Sequence, residues 1–188
     1  MEKDTRLSNI HRFIHWGLAL SMLVMLTTIL LRLGWMEKRH MAEIIQQGLF
    51  KIDLLITDKN AIVIAKNIRN VMFQWHLYFG YSVAVFVLLR FIYMAKYGLQ
   101  YPSAFDAKAN IRQKFQAWVY WLFYLGITLS VVTGLLIEFG PAAIEHQMET
   151  VHKLALWYFI PFISLHLAGI ILAEFGHDKG VVSRIISG

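Results

Sequence analysis

Apolar and polar residues follow one another along this chain in long blocks, without the short periods of a water-soluble fold. Four blocks are free of Asp, Glu, Lys and Arg: Phe13–Leu31 (19 residues), Val71–Leu89 (19), Phe115–Ile137 (23) and Leu154–Ala173 (20). About 20 apolar residues cross roughly 30 Å of hydrocarbon as a helix. The blocks therefore predict four transmembrane helices, with spans over about 13–35, 71–95, 115–138 and 152–174. The residue-by-residue alternation of a membrane β-strand is absent. The expected class is all-α, an integral membrane four-helix bundle in one transmembrane domain, residues 1–188.

Polar connections frame the spans. The longest, 36–70, contains apolar patches in GLFKIDLLI and NAIVIA and is expected to hold a short amphipathic helix at the membrane surface or against a partner. The second, KYGLQYPSAFDAKANIRQK, carries Pro102 and several basic residues, and the third, EFGPAAIEHQMET, is short and acidic. The first span is read as retained, since its apolar run is long and LLRLGWMEKRH has no small-residue cleavage site.

Composition narrows the chemistry. The chain is 57% hydrophobic and contains no cysteine, which excludes disulfides, thiolate metal sites and CxxCH haem attachment. Its net charge of +6 flanks the spans, so it points to membrane surfaces and not to nucleic acid. With the termini and second connection inside, that side holds Lys3, Arg6, Arg12, Arg90, Lys96, Lys108, Arg112, Lys114, Lys179 and Arg184, ten basic residues against eight on the other. The excess favours cytoplasmic termini, by a narrow margin.

Histidine is the anomaly. Of eight histidines, His15, His76, His152 and His166 lie inside or at the ends of predicted spans, where polar nitrogens need partners. His166 follows His152 by 14 residues, which on one straight helix is 40° short of four turns, or about 21 Å of rise on one face. Alternating span direction puts His15 and His166 at an inner level and His76 and His152 at an outer one. Two imidazoles from facing helices are what the axial positions of a bis-histidine b-type haem require. A bundle enclosing two haems is the reading these depths favour. Interhelical hydrogen bonding is the plain alternative for any one of them. A zinc or copper pathway is the rival use, but no carboxylate or thiolate lies mid-span to complete one.

Other residues fit around this frame. Gly17, Gly80, Gly134 and Gly169 fall within spans, where a missing side chain lets a flat macrocycle approach, although glycine is also common at membrane helix contacts. His11 precedes His15 by one helical turn and can serve a propionate, a proton path or only the interface. His40 and His146 read as solvated, and His177 as an exposed loop residue or part of an inner pocket. Arg90 follows His76 by 14 residues and so lies on the ligand-bearing face at the inner level. A guanidinium there calls for an anionic partner, for which a haem propionate is the natural candidate. Snorkelling to lipid headgroups is its simpler account. The six tryptophans sit mostly near span ends, as interfacial anchors do.

The stretches HRFIHW, WHLYFGY and VHKLALWYFIPFISLHLAGII, with the ending DKGVVSRIISG, resemble the bacterial cytochrome b561 superfamily, and in particular the b-type subunits of membrane nickel-iron hydrogenases. The resemblance covers all four spans. It implies two b haems, the outer ligated by His76 and His152 and the inner by His15 and His166. It also implies electron transfer between a periplasmic redox partner, such as a dehydrogenase or a c-type cytochrome, and the quinone pool of the bacterial inner membrane. Quinone is then substrate, and lipid and a second copy of the chain are further partners. Some members of the group instead act alone as superoxide:quinone oxidoreductases, an alternative that a strongly basic funnel over the outer haem would favour. The 36–70 connection carries six basic and four acidic residues and suits protein docking better.

Overall fold

The computed structural model describes residues 8–99, 103–176 and 179–187. Lys3, Arg6, Pro102 and His177 lie outside the described residues. Those described form seven helices and no strand: α1 (Asn9–Leu33), α2 (Lys38–Phe50), α3 (Asp58–Tyr97), α4 (Ile111–Phe139), α5 (Ala142–Lys153), α6 (Ala155–Phe175) and α7 (Val181–Ile186). Four helical stretches are long and apolar enough to cross a membrane: α1, α3, α4 and α5 with α6. Large apolar side chains on them face outward, including Leu20, Leu122 and Leu172, as lipid-facing helices require. The protein is an all-α, multi-pass membrane protein. It divides into two compact units, Gly17–Val85 and the remainder, Met1–Trp16 with Phe86–Gly188.

In the Gly17–Val85 unit, α1 meets α3 through small polar side chains, which let helices approach closely and bond in lipid. The Ser21 hydroxyl donates to the Gly17 carbonyl (2.7 Å) and lies 2.8 Å from Ser82 Oγ. The 36–70 connection does contain an amphipathic helix, α2. Its N-cap is Glu37, whose carboxylate accepts from the amides of Arg39 (2.7 Å) and His40 (3.1 Å). NAIVIA, in contrast, forms the opening turns of α3. With no proline and one glycine in its 40 residues, α3 has nothing to stop it. It is about 60 Å long, twice a hydrocarbon core. The surplus turns pack on α2 through Ala42, Ala61 and Ala65, the last two fully buried, with Met41, Ile45, Ile56 and Ile62 around them. Gln46 Nε2 donates to Asp58 Oδ1 (2.7 Å) across the base of this hairpin.

In the second unit, α4 begins with a capping box: Asn110 Oδ1 accepts from the Gln113 amide (2.9 Å), and Gln113 Oε1 accepts from the Asn110 amide (3.0 Å). Helices α5 and α6 pack on α4. Phe162 stacks on Phe123 at 3.8 Å between centroids, and the Tyr158 ring lies over Gly126 with its hydroxyl 2.9 Å from Ser130 Oγ. The third connection is helical as α5, and its last turn carries His152. One residue, Leu154, separates α5 from α6 (φ −67°, ψ −11°), and its amide bonds Val151 one residue short of the α-helical partner. Pro161, about two turns further on, has no N–H for the Trp157 carbonyl. The 14-residue count from His152 to His166 therefore crosses a break and does not measure phase on one straight helix. The short α7 follows Gly180, in the left-handed region at φ 84°, and is held by Glu174, which accepts from the amides of Gly180 and Val182 at 3.1 Å each. Trp16 Nε1 and Arg12 Nη1 donate to the Ile185 and Ile186 carbonyls, both at 3.0 Å.

Candidate functional site

His15, one and a half turns into α1, and His166, mid-way along α6, are brought together with ring centroids 6.2 Å apart and planes inclined by 48°. Metal–imidazole bonds of about 2 Å place the two rings of a bis-imidazole centre roughly 6 Å apart, centroid to centroid. The observed pair has that separation. Phe162 stacks on the face of His166 (5.6 Å, 14°), continuing the stack from Phe123. The Tyr120 hydroxyl lies 3.5 Å from His166 Nδ1, at the outer limit of a hydrogen bond. Aromatic packing, more than hydrogen bonding, sets the pose of this imidazole.

His152 and His76 are held differently. His152 Nδ1 lies 3.0 Å from Thr133 Oγ1 on α4, and a Cβ at Gly134 would come within 3.2 Å of its Cε1. The backbone of Ser130 is a further hydrogen-bond partner of His152. Because Thr133 and Tyr120 are 13 residues apart on α4, the two histidines they touch are separated by about 20 Å along it. In the other unit, His76 is buried, with Nδ1 2.9 Å from Thr28 Oγ1 on α1. Phe73 stacks on it at 4.7 Å and 7°, and the Arg32 guanidinium covers the Phe73 ring at 4.4 Å.

Arg90 is half-buried near the end of α3. Its Nη1 lies 3.1 Å from His11 Nδ1, and its Nε donates to the Tyr124 hydroxyl (3.1 Å). His11 is buried against the Tyr93 edge at 5.4 Å, so it is not an interfacial surface histidine. His40 and His146 are exposed. Gly17 supplies the carbonyl that Ser21 bonds. A Cβ at Gly80 would meet the Met25 methyl at an ordinary 3.8 Å, whereas one at Gly169 would meet nothing within 4 Å. Thr28, Thr133, Tyr120 and Tyr124 carry no spacing signal, because each meets its partner across helices.

Among the described residues no three His, Cys, Asp or Glu side chains cluster as a metal site. A haem iron takes only two protein ligands, so the paired imidazoles fit such a group without a third. The profile of the prokaryotic cytochrome b561 family matches residues 6–188, nearly the whole chain. Comparisons with curated proteins and with solved structures gave no significant match. The four apolar helices, the intramembrane histidines and the length of the profile match agree: the chain belongs to the prokaryotic cytochrome b561 family, the membrane b-type cytochromes of electron transfer.

Proposed function

We propose that this cytochrome carries two b haems and passes electrons between a redox protein on the periplasmic side of the bacterial inner membrane and the quinone pool. His15 and His166 are the ligands of the inner haem, and the observation that carries this is their 6.2 Å ring separation. His76 and His152 are assigned to the outer haem by their depth order along the chain and by the family resemblance. When bound, the haems supply reversible one-electron chemistry. The protein supplies axial nitrogens, helices that fix their positions, and a medium of low dielectric constant. Gly17 and Gly80 belong to the spans that face the cofactors, and Arg90 is the cation available to an inner propionate. Electron flow in either direction fits this arrangement.

The 36–70 connection supports a protein partner over direct reaction with a small anion, because its six basic and four acidic residues offer docking groups of both signs. The termini are placed in the cytoplasm, following the distribution of basic residues.

The test is haem stoichiometry in the purified chain. Two non-covalent, low-spin b haems per chain are expected, and His15→Ala and His166→Ala should each remove one and the same haem. His76→Ala and His152→Ala should each remove the other. One haem per chain after haem-replete expression, or separate losses within a pair, would overturn the assignment. Quinone-site inhibitors should perturb the inner haem alone.

A further inference from the structure

The side chain of His166 does not fix its own ring plane. The torsion about the Cβ–Cγ bond of a histidine is broad and roughly two-fold, and the Tyr120 hydroxyl, 3.5 Å from Nδ1, stands at the limit of holding it. A column of rings holds it instead. Phe162, one turn before His166 on α6, lies nearly parallel to the imidazole (14°) with centroids 5.6 Å apart, an offset stack of the kind aromatic rings prefer. Phe123 of α4 backs Phe162 at 3.8 Å and 16° and is itself buried. Tyr120, also of α4, closes the side, with its ring edge-on to Phe162 (6.1 Å, 61°) and to His166 (6.3 Å, 68°). A turn of the imidazole would drive it against Phe162, and Phe162 cannot yield because Phe123 lies behind it.

His15 meets a different neighbour, the Trp16 indole, edge-on at 5.7 Å and 81°. The two imidazoles are thereby left inclined by 48°. Every residue of this arrangement belongs to one compact unit.

Resting on the assignment of His15 and His166 to the inner haem, we infer that Phe162, backed by Phe123, is a positioning residue. It fixes the plane of the His166 imidazole and, through it, the angle between the two axial ligands of that haem. Groups outside the ligands orient the ligands themselves. An axial imidazole interacts with the iron d orbitals through the π system perpendicular to its ring, whichever nitrogen binds the iron. The angle between the two axial planes therefore sets the d-orbital splitting, and with it the g-values of the ferric low-spin haem.

The experiment records electron paramagnetic resonance of the full-length ferric chain with Phe162→Leu, which removes the ring, and Phe162→Tyr, which keeps it. His166→Ala identifies the inner haem's signal as the one it abolishes. Phe162→Leu should shift and broaden the low-field line of that haem, because the imidazole is then free to take more than one plane. The other haem's line should stay, and tyrosine should keep the wild-type signal. An unchanged line with both haems in place, equal changes of both haems, or a tyrosine variant that behaves like leucine would overturn the inference. If Phe162→Leu sheds the haem, Phe123→Leu decides in its place, a broadened line supporting the inference and a wild-type line overturning it. Proton NMR of the haem-free chain reads the stack directly. The His166 ring protons should carry a ring-current shift that Phe162→Leu removes and Phe162→Tyr keeps, and no response to leucine overturns the stack. A wild-type chain without a haem that His166→Ala abolishes would instead refute the ligand assignment, and the proton shifts would still decide the stack.

Discussion

Arg90 Nη1 lies 3.1 Å from His11 Nδ1, and both side chains belong to the compact unit that carries His15 and His166. Arginine only donates, so a ring nitrogen of His11 accepts, Nδ1 at 3.1 Å or Nε2 at 3.4 Å. With Nε on the Tyr124 hydroxyl, the guanidinium is turned toward protein groups, both of them neutral acceptors. A propionate at this place would add the missing negative charge. Arg90→Gln keeps bulk and polarity while deleting the cation, and it should lower the inner haem's midpoint potential. Each 1.4 kcal/mol of lost interaction corresponds to about 59 mV for one electron. Potentiometric titration checks this, and an unchanged potential with haem content intact would remove Arg90 from the cofactor's surroundings.

Gly126 and Gly134 on α4 make room for two side chains of the α5–α6 segment. A Cβ at Gly126 would stand 2.8 Å from three carbons of the Tyr158 ring. Gly126→Ala should therefore push the ring off its seat, disturb the Tyr158–Ser130 hydrogen bond, and cost about 1–3 kcal/mol as overpacking. Thermal unfolding in detergent measures the loss. Gly134→Ala crowds His152 Cε1 at 3.2 Å, so the spectrum of one haem should change more than the melting temperature does.

The α2–α3 hairpin rests on three alanines. Ala65 is fully buried in that contact, and Ala65→Leu should separate the helices at a cost of about 1–3 kcal/mol. Limited proteolysis between residues 36 and 58 should accelerate while both haem spectra stay as they were. Coupled loss of haem would show that the hairpin also supports the membrane-spanning region.

Glu37 ties the start of α2 to pH. The amides of His40 and Arg39 donate to its carboxylate, and with nearby Lys38 and Arg39 they hold it below the ordinary carboxylate range. A group with a depressed folded-state pKa contributes stability at pH values above its unfolded range, lost as pH falls through the folded value. Protease susceptibility of α2 should accordingly rise on acidification below the ordinary carboxylate range. Glu37→Gln, which still offers an oxygen acceptor but has no charge to lose, should flatten that pH dependence.

The spans and the ligand candidates were legible in the sequence because lipid imposes coarse rules. A helix must be about 20 apolar residues long to cross, and an ionisable residue inside it stands out against that background. His15, His76, His152 and His166 could be picked out on that rule alone, as could Arg90. What the sequence left undecided were contacts between helices. Nothing in the chain's periodicity joins Thr28 to His76, 48 residues away, or Arg90 to His11, 79 residues away. The extension of α3 back to Asp58 and the break at Leu154 are of the same kind. The first depends on alanines finding a partner in α2, and the second lies where α5 and α6 each pack on α4. Local pattern set which segments enter the membrane and which residues are costly there. Only packing decided which hydroxyl faces each imidazole, because hydrogen bonds between helices depend on rotation and approach, to which an apolar block is indifferent.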